Sequence, residues 1–282
     1  MFSRFQYILN DYHEYGYPDF FYESSIKQHM EKGEELYQNS VTTSRENLEK
    51  FIFSNGHIDG TSLQENWFSI EDVDVFLSHS HKDLSKVKAF AGWLYDNFKL
   101  TSFIDSCCWG YCDDLLKEID DEYCYNASSC AYSYELRNYS TSHVHMMLSS
   151  ALSQMIDKTE CVIFFNTPNS IILEDEISQI NKGNKEATLS PWIYHELSMT
   201  TMIRQTIPTR FTLKTPILEH NSLNFSEEQR ELGFEHDVSK YLKNMRTLKD
   251  TDLLEWQAHY ISSKLTGEFA LDTLYKMLKN KH

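Results

Sequence analysis

The sequence predicts an α/β fold built on a parallel β-sheet, and three short apolar segments carry this prediction. Val73–Ser78, Thr101–Asp105 and Cys161–Thr167 are rich in the β-branched and aromatic residues that favour strands. Segments with apolar residues at helical spacing separate them. Because such a helix returns the chain to the same end of the sheet, successive strands should run parallel, with right-handed crossovers.

Composition limits the kinds of protein this chain can be. Its 282 residues suffice for one large domain, or for a medium domain with an appendage, and its formal net charge is −16. Such an acidic surface repels a phosphate backbone, so nucleic-acid binding is not expected. The longest strongly apolar run, Cys161–Phe165, is too short for a membrane span, and Met1–Tyr7 lacks a signal peptide. We therefore expect a cytoplasmic protein whose six cysteines are reduced.

Residues 1–72 are predicted to form an N-terminal helical appendage. Ser25–Tyr37 and Ser44–Phe53 have the spacing of amphipathic helices, and two Gly-containing turns follow them. No group of residues in this region suggests catalysis. The second domain is expected to span residues 73–282, with its core at 73–204.

The core begins with a strand–helix–strand unit. A polar loop follows the strand that ends at Ser78, and a helix is predicted over Asp83–Phe98. The next strand ends at Asp105, and the loop after it contains Trp109 and Tyr111, whose side chains we expect to be exposed. Since ligands of parallel sheets bind at the carboxyl ends of the strands, both loops are candidates for a binding site.

The rest of the chain is less regular. A polar insertion is expected at about residues 120–142, and the most buried strand should be Cys161–Thr167. Weaker patterns predict further strands at Arg210–Leu213 and Asp237–Tyr241. The remaining predicted helices are Leu115–Ile119, His143–Lys158, Leu253–Lys264 and Glu268–Lys279.

A helix should begin after Ser190, a natural N-cap, because Pro191 suits the first helical position. Trp192 and Glu196 are four residues apart and so lie on one face of this helix. Its inward face is expected to consist of Ile193 and Leu197. An aromatic ring beside a carboxylate can hold a flat ligand next to an acid, but a packed tryptophan beside a solvated glutamate has the same spacing.

Four segments together resemble the TIR (Toll/interleukin-1 receptor) domain family. Asp74–Ser80 followed by Lys82-Asp83 resembles the first strand and loop of that family, and the loop after Asp105 has the position of its BB loop. The third apolar strand is followed by Ser190-Pro191-Trp192 and Glu196, which match the Ser-x-Trp-x-x-x-Glu pattern of the family. The resemblance covers roughly residues 72–204 and implies a flavodoxin-like fold with a central parallel sheet flanked by helices.

The resemblance implies an enzyme that cleaves the bond between nicotinamide and ribose in NAD, without a further cofactor or metal. Glu196 matches the glutamate that the enzymes of the family need, and its role would be to stabilise the oxocarbenium-like cation. The positions that match substrate-binding residues of the family are Ser78, His79, Asp105, Trp109, Tyr111 and Trp192. Family members also associate through their TIR domains, so self-association is expected.

The product and the biological setting follow from the resemblance alone. Bacterial TIR proteins of this size resemble the components of Thoeris anti-phage systems that make a diffusible, ADP-ribose-derived signal for a separate effector. This chain departs from a simple TIR domain in its N-terminal region and in the roughly 55 residues between its second and third strands. The product is therefore left open between hydrolysis, cyclisation and transfer.

Other functions have weaker support in the sequence. A TIR module that only binds partners remains the main alternative, and a base-exchange nucleoside transferase is a more distant one. The cysteines and histidines at 108–145 contain no Cys-x-x-Cys pair, so no metal site is predicted. The chain also lacks a glycine-rich phosphate loop and a Gly-x-Ser-x-Gly elbow.

Overall fold

A computed structural model describes residues 1–9, 23–38, 46–110, 112–173, 186–211, 235–263 and 267–279. The strands of these residues are β1 (Ser3–Ile8), β2 (Val75–Ser78), β3 (Ser102–Phe103), β4 (Tyr125–Asn126), β5 (Ala131–Tyr132), β6 (Cys161–Asn166), β7 (Ile172–Leu173), β8 (Glu186–Thr188), β9 (His236–Asp237) and β10 (Arg246–Leu248). The α-helices are α1 (Glu23–Tyr37), α2 (Gly60–Trp67), α3 (Leu84–Phe98), α4 (Asp105–Cys108), α5 (Cys112–Ile119), α6 (Tyr134–Lys158), α7 (Pro191–Met202), α8 (Ser239–Leu242), α9 (Asp250–Ser263) and α10 (Ala270–Lys279).

The five-stranded central sheet has the order β10-β1-β6-β2-β3, and every neighbouring pair is parallel. Helices flank it, which confirms the predicted α/β class. The strand after β2 in the chain, β3, lies on one side of β2, and β6 lies on the other. A flavodoxin-like sheet has this same neighbour relation among its first three strands, so the expected fold is compatible with the observed order.

The N-terminal region is not the separate helical appendage that we expected. Strand β1 lies inside the central sheet, where Phe5 pairs with Ile163 of β6 and with Arg246 of β10. Helix α1 packs against α3 so closely that Gly33 and Gly92 lie at the contact. Residues 1–72 therefore contribute a strand and a packed helix to the main α/β layer structure, although part of that range lies outside the described residues.

Strand β1 was missed because two of its inward-facing residues are polar. Arg4 donates to the backbone carbonyl of Thr200 in α7, and the Gln6 amide donates to the carbonyl of Leu242 at 3.2 Å. These carbonyls belong to the last turns of two helices, whose final acceptors lack partners inside the helix. The donors of both side chains and the carbonyl acceptors at the helix ends are thus paired with each other. The alternation of apolar and polar residues along a strand does not reveal such pairing.

The two faces of the sheet bury different apolar clusters. On β2, Val75 and Leu77 face the cluster formed with α3, α9 and α10, whereas Phe76 faces the cluster formed with α2, α5 and α6. The same alternation occurs on β6, where Ile163 and Phe165 share the first cluster. This period of two is the geometry of a strand buried on both faces, and it places the sheet at the centre of the core.

The less regular regions differ from the predictions in several places. The segment 120–142 contains a π-helical turn at Asp120–Cys124, the hairpin of β4 and β5, and the first part of α6. Thr209–Phe211 is a 3₁₀ helix rather than the predicted strand at Arg210–Leu213, of which residues 212 and 213 lie outside the described residues. Of the predicted strand at Asp237–Tyr241, only Asp237 belongs to a strand, because α8 begins at Ser239. That strand, β9, joins β7 and β8 in a small antiparallel sheet and not the central one.

Within the part of the chain that the structure describes, none of the helices combines the length and apolar character needed to cross a bilayer.

Candidate active site

The candidate site lies where the strand order of the central sheet reverses. Strands β2 and β6 are neighbours, but the chain continues from β2 to β3 at one edge of the sheet and from β6 to β10 at the other edge. Ser78 ends β2 and His79 follows it, while Asp105 begins α4 one residue beyond the end of β3. Open α/β sheets bind ligands at such a reversal, beyond the carboxyl ends of the strands.

Helix α7 has the predicted structure. The hydroxyl of Ser190 accepts a hydrogen bond from the backbone N–H of Ile193 at 3.3 Å, and Pro191 occupies the first helical turn. Ile193 and Leu197 are 3% and 1% exposed and pack with the apolar residues of α8. The helix is thus anchored through one face, which fixes the position of Glu196.

Glu196 and Ser78 are brought together across 118 positions of the chain. The hydroxyl of Ser78 donates to Oε2 of Glu196 at 2.5 Å, and both side chains are buried. This contact joins α7 to the end of β2. The sequence predicted both residues for the site, but it did not predict that Glu196 would be only 4% exposed.

The surroundings of Glu196 favour its neutral form. Burial raises the pKa of this carboxyl well above its ordinary value, and the negative charge of Asp105 raises it further. The hydrogen bond from Ser78 opposes the shift, since it stabilises the carboxylate, but this effect is smaller than that of burial. A buried acid with a strongly shifted pKa next to a second carboxylate is a frequent feature of active sites.

His79 is also buried beside these carboxyl groups. Its Nδ1 lies 3.1 Å from the backbone carbonyl oxygen of Leu77, and its ring contacts that of His81 edge to face. Burial lowers the pKa of His79, while Asp105 acts in the opposite direction. The neutral imidazole is therefore favoured, although a carboxylate is close by.

A cleft of about 330 Å³ opens next to these residues. Trp192 forms part of its wall and contacts the ring of His145 at right angles, with 5.2 Å between the ring centres. Asp105 also borders the cleft, whereas Ser78, His79 and Glu196 are not among its lining residues. The charge of Asp105 acts on both His79 and Glu196, so it connects the open cleft to the buried groups.

The structure corrects the expectation that the loop after β3 exposes its aromatic residues. Trp109 is 2% exposed, donates its indole N–H to the carbonyl of Ser69 at 2.8 Å, and packs on Phe68 and Phe103. It borders the cleft but belongs to the apolar core. Tyr111 lies outside the described residues. Sequence alone indicates a loop here, but not that an aromatic side chain folds inward to fill space beside β3.

Two residues near the site, Asp83 and His145, were not among the predicted site residues. Asp83 is fully buried and accepts hydrogen bonds from Thr167 at 2.6 Å and from Asn169 at 2.9 Å. It therefore ties the loop after β2 to the loop after β6. The Lys82-Asp83 pair of the first motif was a usable signal for this role, whereas His145 was considered only among the possible metal ligands at 108–145.

Replacing Asp83 by alanine is expected to destabilise the fold by about 1–3 kcal/mol, because the hydroxyl of Thr167 and the amide of Asn169 lose a buried acceptor. Urea unfolding of the variant should show the loss as a lower midpoint with an unchanged slope. Lys82→Ala, one position earlier at an exposed site, is the matched control. Equal stability of the Asp83 variant and the wild type would contradict this role.

Cysteine and metal chemistry have little support in this site. Burial raises the pKa of the Cys107 thiol to about 11 and that of Cys108 to about 12, so neither is a ready thiolate nucleophile at neutral pH. Among the described residues, no three histidine, cysteine or acidic side chains are grouped so that they could hold a metal ion.

Comparison with known proteins does not assign this chain to a family. No protein-family model, curated protein or solved structure matches it.

Proposed function

We propose that the protein is a TIR-type enzyme that cleaves the nicotinamide–ribose bond of NAD. The observation that carries the proposal is the pair of Glu196 and Ser78, buried at the reversal point of the sheet beside the cleft of Trp192. In the Ser-x-Trp-x-x-x-Glu motif, the acid and the aromatic residue are one helical turn apart on α7.

The electrostatics of the site suit a positively charged substrate. Burial raises the pKa of Glu196, and the negative charge of Asp105 raises it further, so a negative charge on Glu196 is costly in the free protein. The pyridinium ring of NAD is a cation and would lower that cost on binding. Glu196 would then ionise and stabilise the cationic ribose as the neutral nicotinamide leaves.

The cleft is sized for part of the dinucleotide. Its volume of about 330 Å³ is at the lower end for small-molecule sites. The perpendicular rings of Trp192 and His145 offer an aromatic wall for a flat base. We propose that a second copy of the domain completes the site, which agrees with the self-association expected from the family resemblance.

The biological role that we propose is the production of an ADP-ribose-derived signal in bacterial anti-phage defence, as in Thoeris systems. This signal would diffuse to a separate effector, and the enzyme would work in the cytoplasm. The support for this role is the TIR-like order of the motifs, whereas the support for the reaction is the site itself.

NAD turnover by the purified protein and by Glu196→Gln tests the proposal. The wild type should release nicotinamide, and the variant should lose at least about 100-fold in rate, because the amide cannot take on a negative charge. Chromatography with mass detection would distinguish ADP-ribose from a cyclic or conjugated product. Glu65→Gln, at an exposed position of α2, should retain full activity.

A non-catalytic TIR module is the second candidate, and the burial of Glu196 favours it. The carboxyl group of Glu196 is 4% exposed and bonded to Ser78, and a purely structural role, joining α7 to β2, would account for this contact. Thermal unfolding with added NAD separates the two candidates, because a ligand at 100 times its dissociation constant stabilises by about 2.7 kcal/mol. An unchanged unfolding temperature together with absent turnover, also at high protein concentration, would support the scaffold.

A further inference from the structure

The imidazole of His79 has one ring nitrogen with a partner and one without. His79 follows β2 directly and is 8% exposed. Its Nδ1 is 3.1 Å from the carbonyl oxygen of Leu77, and a carbonyl oxygen can only accept, so Nδ1 must carry a proton. In the neutral ring, Nε2 is then a bare acceptor. Within the described part of the chain, this buried Nε2 has no hydrogen-bond partner.

Such an acceptor is costly for the fold. A buried polar atom without a partner destabilises a protein, and native proteins keep few of them. A bare imidazole nitrogen is also a good proton acceptor near neutral pH. The combination of a fixed tautomer and an unused lone pair indicates that Nε2 accepts a hydrogen bond from a bound ligand.

His79 is adjacent to the groups that we place at the reaction centre. The preceding residue, Ser78, holds Glu196, and the charge of Asp105 acts on His79 as well as on Glu196. The ring of His81 contacts His79 and also lines the cleft. His79 is thus connected to the cleft through His81 and to the buried acid through Ser78.

We propose that His79 is the general base of the reaction, with Nε2 accepting the proton of the attacking hydroxyl group. This inference rests on the proposed NAD cleavage. The oxygen of water, or of an acceptor hydroxyl, bonds to the anomeric carbon of the ribose as the carbon–nitrogen bond breaks. The electron pair of that bond leaves with neutral nicotinamide, and the proton passes to Nε2. The imidazolium then releases it to solvent, so hydrolysis yields nicotinamide, ADP-ribose and one proton.

Nicotinamide itself provides the test, because its attacking ring nitrogen carries no proton and needs no base. In His79→Gln, hydrolysis of NAD should fall by about 10²–10⁴-fold. Exchange of isotopically labelled nicotinamide into NAD should stay within about threefold of the wild type, since the bond cleavage by Glu196 is intact. His57→Gln, at an exposed position, should leave both reactions unchanged.

The outcomes separate the role of His79 from the proposed function. Equal loss of hydrolysis and exchange in His79→Gln would make the residue structural and overturn its role as base. Full hydrolysis by the variant would do the same, while NAD cleavage by the protein would stand. If the wild type carries out neither reaction, the proposed function fails, and the role of His79 fails with it.

Discussion

Replacing Glu196 by glutamine is expected to make the protein more stable at neutral pH while removing NAD cleavage. The physical reason is the burial that raises the pKa of this carboxyl well above the ordinary value of 4.5. At pH 7 the unfolded chain ionises Glu196 freely, whereas the folded protein must either retain the proton or bury a charge next to Asp105. Glutamine has nearly the same shape, can still accept from Ser78, and carries no such penalty.

The pH dependence has a definite sign. Below pH 4.5, Glu196 is protonated in both states and contributes nothing to the pH dependence of stability. As the pH rises above 4.5, the unfolded state loses this proton while the folded state keeps it, so the wild type loses stability. The slope approaches about 1.4 kcal/mol per pH unit until the raised pKa of the folded state is reached. The advantage of Glu196→Gln should therefore grow across this window.

Urea unfolding of the wild type and of Glu196→Gln between pH 4 and pH 8 measures this difference directly. We expect the two free energies of unfolding to converge near pH 4 and to separate progressively above it. Glu65→Gln, whose position on α2 is exposed, should follow the wild type at every pH. Parallel curves for wild type and Glu196→Gln would mean that the acid is ionised and compensated in the folded state.

A stability gain on removing Glu196 would bear on the choice between enzyme and scaffold. A residue that only joins α7 to β2 through Ser78 would perform that task better as glutamine. Retaining an acid that destabilises the fold makes sense when its charge is needed during a reaction. The stability measurement thus adds an argument for catalysis that does not depend on finding active conditions.

Much of the fold was predictable because its strongest elements are locally determined. The apolar run of β6, the spacing of α3 and the Ser190-Pro191 start of α7 each identify an element without reference to the rest of the chain. All three elements were predicted within a few residues of their observed bounds. The expectation that Ser78 and Glu196 belong to one site came instead from the resemblance to TIR domains, whose motifs both residues match.

The remaining features depend on contacts distant in sequence. In β1, Arg4 and Gln6 donate hydrogen bonds to the carbonyls of Thr200 and Leu242, which are 196 and 236 positions away in the sequence. Without these distant acceptors, two polar residues on the inner face argue against a buried strand. Strand β10 has only three residues and contains Arg246 and Thr247, so its pattern is weak. The burial of Glu196 and of the Trp109 loop likewise follows from packing against other elements. Such non-local effects override local propensity and cannot be read from spacing.

Replacing Gly92 by alanine is expected to destabilise the fold by about 3 kcal/mol or more. Gly92 lies in the middle of α3, where alanine would ordinarily stabilise a helix. A Cβ at this position would overlap the carbonyl oxygen of His29 in α1 and crowd the backbone of Gly33. Backbone atoms of a helix cannot move aside alone, so α1 would have to shift away from the sheet.

Two further glycines make this prediction specific. In Gly33→Ala, the new Cβ would overlap the carbonyl oxygen of Lys88 in α3, and the loss in the free energy of unfolding should be similar. The double variant should lose less than the sum of the two single losses, because one displacement of α1 relieves both overlaps. Gly60→Ala in α2 has open space around its Cβ and should be neutral or slightly stabilising. Urea unfolding of the four variants checks these values. A mild effect at Gly92 would mean that α1 is held loosely and is not an integral layer of the fold. Residues 1–72 would then contribute β1 and α2 to the core, but not α1.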